Sequence, residues 1–434
     1  MDVTLQEILQ AREQRVQRQN VFLQKGLPVV CLTMNIPGPV KNSLSIQRAF
    51  LLGAKMLRNA LCVAEEEILT ENTGCEALFS VEGDSRDIKQ ICTDLEERIP
   101  LGRLWDMDVL TPSGEKLSRE EPRSCLVCGK PGRLCAATRA HSVSQLQAAT
   151  RQLIWAHFAP GDCASIGHAA VESLIYEVNV TPKPGLVDRR NNGSHKDMDL
   201  PLFLKSARTL EGYFTEAAAI GIHTQDRESC FQKLRQAGLA AEQAMLAATG
   251  GVNTHKGAIF TLGLLCGSIG NLWTPGQPFA GITQVLDNCK ALCKTLTRDF
   301  SRTDLPQTYG KQLYASLGIT GIRGEAMAGF PSIASGLQVY ADNLALGEND
   351  AGVHTLLHLI ARVEDTNLYH RGGTQGAEFA KTSAEQLLKN PKKEDILRLD
   401  DVFMEKNLSP GGSADLLAAI RFLHTLHTGV KMNF

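Results

Sequence analysis

The spacing of apolar residues changes near residue 160, and the two parts of the chain predict different folds. Before that point, short apolar runs alternate with stretches of helical period. Apolar positions three or four residues apart from Ile46 to Leu57 predict one helix, and the charged start of the chain predicts an amphipathic helix over residues 1–20. Strands are predicted at residues 28–36, 75–81 and 104–110. This pattern is typical of an α/β or α+β domain.

From about residue 163 onward, nearly every segment has helical period and none has the alternation of a strand. Typical helix lengths give about ten or more helices there. They are predicted at residues 164–176, 200–219, 232–248, 258–270, 282–296, 351–363 and 414–426. Pro160-Gly161-Asp162 breaks the pattern, so we expect a domain boundary there. The predicted architecture is an α+β domain over residues 1–159, followed by an all-α domain over residues 163–434.

Composition and charge narrow the classes of function. Of 434 residues, 45 are Lys or Arg and 47 are Asp or Glu, which gives a formal net charge of −2. This balance argues against a partner that is a nucleic acid or a membrane surface. The longest apolar run, residues 258–270, is too short and too rich in glycine to span a bilayer, so we read it as a buried helix. The 12 cysteines are too few for a disulfide scaffold and no secretory leader precedes them, so we expect a cytoplasmic protein with reduced or metal-bound thiols.

Two carboxylates stand two residues apart on the third predicted strand. Because side chains alternate across a strand, Asp106 and Asp108 share one face and the apolar residues around them share the other. Neighbouring carboxylates repel each other unless a cation lies between them, and Mg²⁺ with substrate phosphates suits such a pair. Gly102 would let a triphosphate approach, and Arg103 would neutralise it. The alternative is a solvated strand with two acids near a turn.

The segment from Pro37 to Ser43 predicts a turn between a strand and a helix, with Ser43 or Ser45 as the helix cap. Helix N-termini attract phosphate, and Lys41 would add a positive charge. An ordinary capped turn is the alternative.

Three cysteines and a histidine are spaced as ligands for a metal. Cys125, Cys128, Cys135 and His141 are of the types that structural zinc sites use, and two glycines lie in the intervening loop. The spacing is not that of a standard zinc finger. We expect a structural rather than a catalytic zinc ion, and the alternative is a group of reduced thiols near a histidine.

Four polar segments that contain glycine interrupt the predicted helices. Each brings Asp, Asn or His together with glycine or proline, and three of the four also carry a cation. Residues of these types are what the binding of a metal-chelated polyphosphate and a ribose requires. Any one of them alone is typical of a capped turn, but four in one domain favour a single site assembled at the helix ends. They are residues 177–197, 250–257, 364–373 and 407–415.

These segments carry a resemblance to two enzyme families. The N-terminal part resembles the holo-acyl-carrier-protein synthase of citrate lyase, through PGPVK, PLGRLWDMDVLTP and the cluster of cysteines with His141. The C-terminal part resembles triphosphoribosyl-dephospho-coenzyme A synthase, through TPKPGLVD, NTHKGAIF, EDTNLYHRGG and NLSPGGSADLL. Together the resemblances cover nearly the whole chain. They imply a fusion of the two enzymes, with a nucleotidyltransferase-like N-terminal domain.

The resemblance implies two reactions in sequence. In the C-terminal domain, the ribose 2′-hydroxyl of 3′-dephospho-coenzyme A attacks the ribose C1′ of ATP and adenine leaves. In the N-terminal domain, a serine of the acyl carrier (γ) subunit of citrate lyase attacks the innermost phosphate of that product and pyrophosphate leaves. The substrates are therefore ATP and 3′-dephospho-coenzyme A, the metal is Mg²⁺, and the protein partner is the carrier.

On this resemblance, roles are expected for residues in both domains. Asp106 and Asp108 would bind Mg²⁺ in the N-terminal domain, with Arg103 as a phosphate clamp. In the C-terminal domain, three acids would share metal binding and the role of general base: Asp188, Asp197 and Asp365. Four cations would hold phosphates: Lys183, Arg189, Lys256 and Arg371. Four further side chains would contact the ribose or the base: Asn253, His255, Asn367 and His370.

Three alternatives stay open at the level of the sequence. The same chemistry could serve the acyl carrier of malonate decarboxylase. A scaffold could bind nucleotide and carrier without turnover, although a binder has less need of so many carboxylates. The helical domain could instead hydrolyse nucleotides or ADP-ribosyl groups.

Overall fold

The computed structural model describes residues 2–119, 121–296 and 309–429, which form two compact units. One unit contains the chain up to Gly161 together with Thr274–Pro278, and the other contains Asp162–Trp273 and the described residues from Phe279 onward. Each unit has its own buried apolar core.

The N-terminal unit combines helices with a five-stranded antiparallel sheet of strand order β2-β3-β1-β4-β5. The α+β prediction is therefore confirmed, as are the three predicted strands and the two predicted helices. The strands are β1 (Val29–Met34), β2 (Cys62–Glu71), β3 (Gly74–Glu82), β4 (Trp105–Leu110) and β5 (Lys116–Leu117). The helices are α1 (Leu5–Leu23), α2 (Leu44–Ala60), α3 (Ser85–Arg98) and α4 (Gly132–Ala137), with a 3-10 helix at Pro100–Leu104.

The edge strand β2 was not predicted from the sequence. Its sequence, CVAEEEILTE, has no clear apolar alternation, and most of its residues are exposed or half-buried. Pairing with β3 along its whole length stabilises it instead, with one irregularity near Val63. Charged side chains on an edge strand also hinder pairing with other chains. Glu66 is paired with Arg58 (2.6 Å), and Glu65 is paired with Lys25.

Strand β4 has the predicted alternation. Trp105, Met107 and Val109 are buried on one face, whereas Asp106 and Asp108 are half-buried on the other. The indole Nε1 of Trp105 donates to the carbonyl of Ala49 in α2 at 2.9 Å, which satisfies the only polar atom of this side chain. The core therefore fixes the face on which the two carboxylates lie.

The helical pattern is not interrupted at Pro160 as expected, because one helix, α5 (Val143–Asn179), continues through it, although the two compact units divide between Gly161 and Asp162. A proline inside a helix removes one hydrogen bond and costs about 3 kcal/mol. The apolar face of the helix nevertheless continues on both sides, with Ile154 and Ile166 buried. Each such side chain contributes about 1.5–3 kcal/mol when it is fully buried. The packing on the two sides therefore outweighs the local cost.

Within the described residues, the C-terminal unit has no strands, as predicted. Its described residues contain the later part of α5 and twelve further α-helices. These are α6 (Leu200–Thr209), α7 (Glu211–His223), α8 (Arg227–Thr249), α9 (Lys256–Leu272), α10 (Ile282–Leu292), α11 (Tyr309–Leu317), α12 (Gly321–Ala328), α13 (Pro331–Asn343), α14 (Glu348–Arg362), α15 (Thr366–Leu388), α16 (Lys393–Glu405) and α17 (Gly411–Gly429). The helix predicted over 200–219 is divided at Leu210. None of the described helices combines the length and the hydropathy needed to cross a bilayer.

Helix α9 is buried along most of its length and packs closely against α7. A Cβ atom on Gly270 would lie 2.1 Å from the carbonyl oxygen of Ala218, and one on Gly221 would lie 2.2 Å from that of Gly267. Both obstacles are backbone atoms, which cannot turn aside as a side chain can. The glycines therefore set the distance between the two helices.

We expect the substitution Gly270→Ala to destabilise the C-terminal unit. Overpacking of a tight core costs about 1–3 kcal/mol, which exceeds the gain of at most about 1 kcal/mol in helix propensity. Gly212→Ala in α7 is the matched control, since a Cβ atom there meets nothing within 4 Å. This control should gain about 0.4–1 kcal/mol. Urea unfolding compares the two, and equal stabilities would contradict the packing described here.

Candidate active sites

Residues from all four polar segments of the C-terminal unit line one cavity of about 380 Å³. Its wall contains helix ends and the loops before them. The polar residues that line it are Glu177, Lys183, His195, Asn253, Thr254, His255, Lys256, Glu325, Glu364, Asp365, Thr366, Asn367, His370, Arg371, Ser409 and Asp415.

Asp365 holds two helix N-termini together at this cavity. It is the N-cap of α15, and its Oδ1 accepts from the amide of Asn367 at 3.0 Å. Its Oδ2 accepts from the amide (2.8 Å) and the hydroxyl (3.0 Å) of Ser413, near the start of α17. Burial raises the pKa of Asp365, and the hydrogen bonds from Ser413 and Asn367 oppose that rise. A Cβ atom on Gly412 would lie only 3.1 Å from the carboxylate, so this glycine allows the close approach.

Asp415 brings a second carboxylate to the start of α9. It accepts a hydrogen bond from the amide of Ala258. A Cβ atom on Gly257 would lie 2.0 Å from Asp415 Oδ2, so only glycine leaves room for this carboxylate. Desolvation holds the pKa of Asp415 well above its usual range, and the nearby carboxylates of Glu177 and Asp365 raise it further. The residue is therefore poised to carry a proton.

Lys183 is buried and forms an ion pair with Glu177. Its Nζ also donates to the Glu177 carbonyl at 2.8 Å. Since both side chains line the cavity, the pair supplies a fixed positive charge beside a carboxylate.

His255 is buried with one ring nitrogen in use. Its Nδ1 lies 2.8 Å from Ser206 Oγ, whereas its Nε2 is buried without a hydrogen-bond partner among the described residues. Burial, with a smaller contribution from Lys183, lowers the pKa of His255 to about 3, so the ring is neutral. An unsatisfied buried nitrogen in a cavity wall is a ready contact for a ligand.

A second histidine, His195, links Arg371 to Ser409. Its Nδ1 accepts from the Arg371 guanidinium at 3.0 Å, and its Nε2 lies 2.9 Å from Ser409 Oγ. Burial, followed by the charge of Arg371, lowers the pKa of His195 to about 4. Arg371 also donates to the carbonyl of Ser194 and to Asn407 Oδ1, both at 2.9 Å. The guanidinium is therefore held in one orientation at the cavity wall.

Three of the expected site residues lie outside this cavity. Asp188 is buried, but its carboxylate accepts from the amides of Lys183 (2.9 Å) and Arg190 (2.6 Å), and so shapes the loop. Asp197 is exposed. Arg189 donates to Asn349 Oδ1 at 3.2 Å on the protein surface. Of the other expected residues, Asn253, Asn367 and His370 line the cavity, as does Lys256, which forms an ion pair with Glu242 at 2.9 Å.

Three helices, α9, α15 and α17, begin at the wall of the cavity. The unpaired amides and the dipole of a helix N-terminus favour negative charge. Together with the buried lysine, they favour negative charge at a wall that also carries carboxylates. Of these carboxylates, Glu177 and Asp415 were not selected by sequence analysis. Gly257 was the available signal for Asp415, since it makes room for that carboxylate.

In the N-terminal unit, a larger cavity of about 650 Å³ contains the two carboxylates of β4. Asp108 forms an ion pair with Lys116 at 2.5 Å, and Asp106 lies 3.3 Å from Arg123. Both acids are partly exposed, and their partners are cations. Such carboxylates are suitable ligands for Mg²⁺ with a phosphate substrate. The other charged residues that line the cavity are Lys89, Arg103, Arg119, Glu121 and Arg133.

Arg103 lies in this cavity wall and is bound to both the hydroxyl and the carbonyl of Ser124. Burial lowers its pKa, and the neighbouring Arg123 lowers it further. Its Nε has no hydrogen-bond partner in the part of the chain that the structure describes. Glu96, buried behind β4, pairs with Arg123 and accepts from the amide of Met107 at 2.6 Å. Burial raises the pKa of Glu96, and Arg123 opposes this rise.

In this unit, Gly102 and Lys41 make structural contacts in place of the phosphate contacts that were expected of them. Gly102 is buried, and a Cβ atom there would lie 2.4 Å from the carbonyl oxygen of Glu96, so the glycine is explained by backbone contact. Lys41 donates to the carbonyl of Ile36 at 2.6 Å and does not line the cavity. Ser43 caps α2 by accepting from the amide of Ile46 at 3.3 Å, as one of the two predicted caps.

The three cysteines and His141 come together in the same unit. One ligand atom from each lies within 4.8 Å of the others. Cys128 Sγ is 3.4 Å from Cys135 Sγ and 3.2 Å from His141 Nε2. Thiolates at about 2.3 Å from one zinc ion would be separated by comparable distances. Gly129 has a φ of +71°, so the tight turn between the first two cysteines and the third requires glycine.

Comparisons with known proteins match both parts of the chain. Residues 163–434 match the family described as ATP:dephospho-CoA triphosphoribosyl transferase, and residues 3–157 match apo-citrate lyase phosphoribosyl-dephospho-CoA transferase. Protein CitXG of Haemophilus influenzae is 37% identical over 97% of this chain and 96% of its own length. Protein CitXG of Leuconostoc mesenteroides is 32% identical over 98% of this chain and 97% of its own length. The 2-(5''-triphosphoribosyl)-3'-dephosphocoenzyme-A synthase of Pectobacterium atrosepticum is 41% identical over 60% of this chain and 88% of its own length.

Proposed function

We propose that two sites in this chain carry out successive steps of one biosynthesis. The chain belongs to the CitXG family of fused transferases. Its C-terminal part is a triphosphoribosyl-dephospho-CoA synthase, and its N-terminal part transfers phosphoribosyl-dephospho-CoA to apo-citrate lyase. In the proposed sequence, the first site makes the activated group and the second attaches it to a serine of the acyl carrier (γ) subunit. The citrate lyase carrier is favoured over that of malonate decarboxylase because the N-terminal match is to the citrate lyase enzyme.

In the first step, the 2′-oxygen of 3′-dephospho-CoA forms a bond to C1′ of ATP, and the bond from C1′ to adenine N9 breaks. The proton of the hydroxyl is lost, and adenine gains one at nitrogen. Displacement at such a carbon passes through an oxocarbenium-like state, as in other glycosyl transfers. Carboxylates near C1′ stabilise this positive charge, and a base assists the hydroxyl.

The C-terminal cavity offers groups for each of these tasks. We assign proton transfer to Asp415, because its buried carboxylate lies in the cavity wall at the start of α9 and desolvation holds its pKa well above the usual range. Asp365 and Glu177 would bind Mg²⁺, which neutralises triphosphate charge when bound. The helix N-termini, with Lys183 and Arg371, would hold the triphosphate, and Lys256 would hold a phosphate at the edge of the cavity. His255 Nε2, with Asn253, Asn367 and His370, would contact ribose or base.

Asp188 and Asp197 lie outside the cavity, so we propose that they act on the loop that carries Lys183 and His195. The single observation that carries the assignment is the convergence of Asp365, Asp415 and Glu177 on one cavity with three helix N-termini.

We expect Asp365→Asn to reduce adenine release by at least about a hundredfold. The amide keeps the size of the side chain but places an NH₂ group against backbone donors, and such an unsatisfied contact costs about 1–3 kcal/mol in addition to the lost charge. Chromatography measures adenine from ATP with and without 3′-dephospho-CoA. Asp342→Asn, at an exposed helical position, is the control and should keep full activity. Normal release by Asp365→Asn would refute its role.

In the second step, the serine oxygen of the carrier forms a bond to the innermost phosphorus, and the bond to pyrophosphate breaks. Positioning and charge stabilisation drive reactions of this type. We propose a nucleotidyltransferase-like arrangement, in which Asp106 and Asp108 bind Mg²⁺ and exchange their present partners Arg123 and Lys116 for it. The freed cations and Arg103 would then contact the phosphates.

We expect Asp108→Ala to abolish carrier modification and to leave adenine release unchanged. The reason is that the second site loses a metal ligand, while the C-terminal unit is untouched. Intact mass spectrometry of the carrier and chromatography of adenine measure the two steps separately. Asp94→Ala, at an exposed position of α3, serves as the control. Carrier modification at the normal rate in Asp108→Ala would mean that the pair is structural.

We also propose that Cys125, Cys128, Cys135 and His141 bind a structural zinc ion. Backbone amides of Cys128 and Val127 lower the pKa of Cys125 against the opposing effect of burial, which favours its thiolate. Cys125, Cys135 and His141 line the same cavity as Asp106 and Asp108, and the adjacent Ser124 holds Arg103. The ion would therefore stiffen the wall that carries a phosphate clamp.

Protein purified without chelator should contain about one zinc per chain, and Cys128→Ser should contain much less, because a four-ligand site loses a thiolate. Cys62→Ser is the matched control, since Cys62 is also exposed and lies on β2. Elemental analysis measures both. Zinc well below one per chain in the wild type, or equal content in the two variants, would refute the site.

A further inference from the structure

A second cavity of about 380 Å³ lies between α8 and α9 in the C-terminal unit, and no step above uses it. Its wall is largely apolar, with Phe231, Leu234, Leu264 and the aromatic ring of Tyr213. The Tyr213 hydroxyl already donates to the carbonyl of Ile259 at 3.1 Å. Pockets that enclose a ligand of drug size measure about 300–1,000 Å³. The cavity is therefore large enough for a substantial part of a substrate.

This cavity adjoins the one that holds the carboxylates. Lys256, Ile322 and Thr366 line both. Lys256 is the first residue of α9, and its ion pair with Glu242 lies at this border, since Glu242 lines the apolar cavity. A positive charge and a helix N-terminus therefore stand where one cavity meets the other, and that combination attracts phosphate.

We propose that the apolar cavity binds the pantetheine arm of 3′-dephospho-CoA, an inference that rests on the proposed function of this unit. The acceptor consists of a nucleoside, a diphosphate and the pantetheine arm, in that order. The structure has the same order: a polar cavity with the acids, then Lys256, then an apolar cavity. With the reacting 2′-hydroxyl beside the acids, the diphosphate reaches Lys256 and the arm continues past it.

The adenine of ATP would not occupy the apolar cavity. It is bonded directly to C1′, the carbon that reacts, so it stays next to the carboxylates until it leaves. Only the arm is separated from the reacting atoms by a diphosphate. Arg235, Glu242 and Arg323 also line the apolar cavity and can serve the two amides of the arm.

The substitution Gly238→Phe tests the proposal. Gly238 lies on α8 and lines the cavity, and a Cβ atom there would be 3.3 Å from the Tyr213 hydroxyl and 3.9 Å from Ile259. A phenyl ring at this position would fill the space of the arm. We expect the KM for 3′-dephospho-CoA to rise at least tenfold, while the KM for ATP stays within twofold. Gly212→Phe is the matched control, since that helical glycine meets nothing within 4 Å and lies outside both cavities.

A KM for 3′-dephospho-CoA equal to that of the control would overturn the proposal, and so would an equal rise for both substrates. Leu239→Glu provides a second test if Gly238→Phe does not fold. Leu239 lines the cavity but is 58% exposed, so a carboxylate there costs little folding energy while it disfavours an apolar ligand. Wild-type adenine release that does not depend on 3′-dephospho-CoA would instead refute the proposed function itself.

Discussion

The carboxylate of Asp365 is the constraint on which the C-terminal site depends. It is buried, and in the described structure it accepts from main-chain amides and a hydroxyl rather than from a cation. A buried charge is expensive unless it is hydrogen-bonded, so the two helices that supply these donors are held at fixed positions. Their N-termini, and that of α9 with Asp415, then form a wall of one cavity. Removing this carboxylate would leave buried amides without acceptors.

The N-terminal unit holds its carboxylates in a different way. Asp106 and Asp108 are partly exposed on a strand and are paired with the side chains of Arg123 and Lys116. Side-chain cations can move when a phosphate and its metal arrive, whereas main-chain amides cannot. The side-chain pairing in the N-terminal unit therefore suits the exchange of partners in phosphoryl transfer. The main-chain hydrogen bonding in the C-terminal unit provides the fixed charges that favour an oxocarbenium-like state.

Much of the fold follows from apolar spacing, and the exceptions have physical causes. The strands 29–34, 74–82 and 105–110 were predictable because each contributes a buried face. Strand β2 was not, since pairing with β3 rather than burial stabilises it. The helix is not broken at Pro160, because the apolar face of α5 continues past the proline. Local sequence signals carry no information on such tertiary compensation.

For the C-terminal site, the motifs led to one cavity but did not separate the residues that line it from those that hold its loops. Asp188 and Asp365 look alike in the sequence, yet only Asp365 lines the cavity. One chain both makes the prosthetic group and attaches it to the carrier. The direct measurement incubates the protein with ATP, Mg²⁺, 3′-dephospho-CoA and the apo carrier, and follows adenine, pyrophosphate and carrier mass together. We expect one adenine and one pyrophosphate for each carrier that gains phosphoribosyl-dephospho-CoA. Carrier modification without adenine, or adenine without 3′-dephospho-CoA, would contradict it.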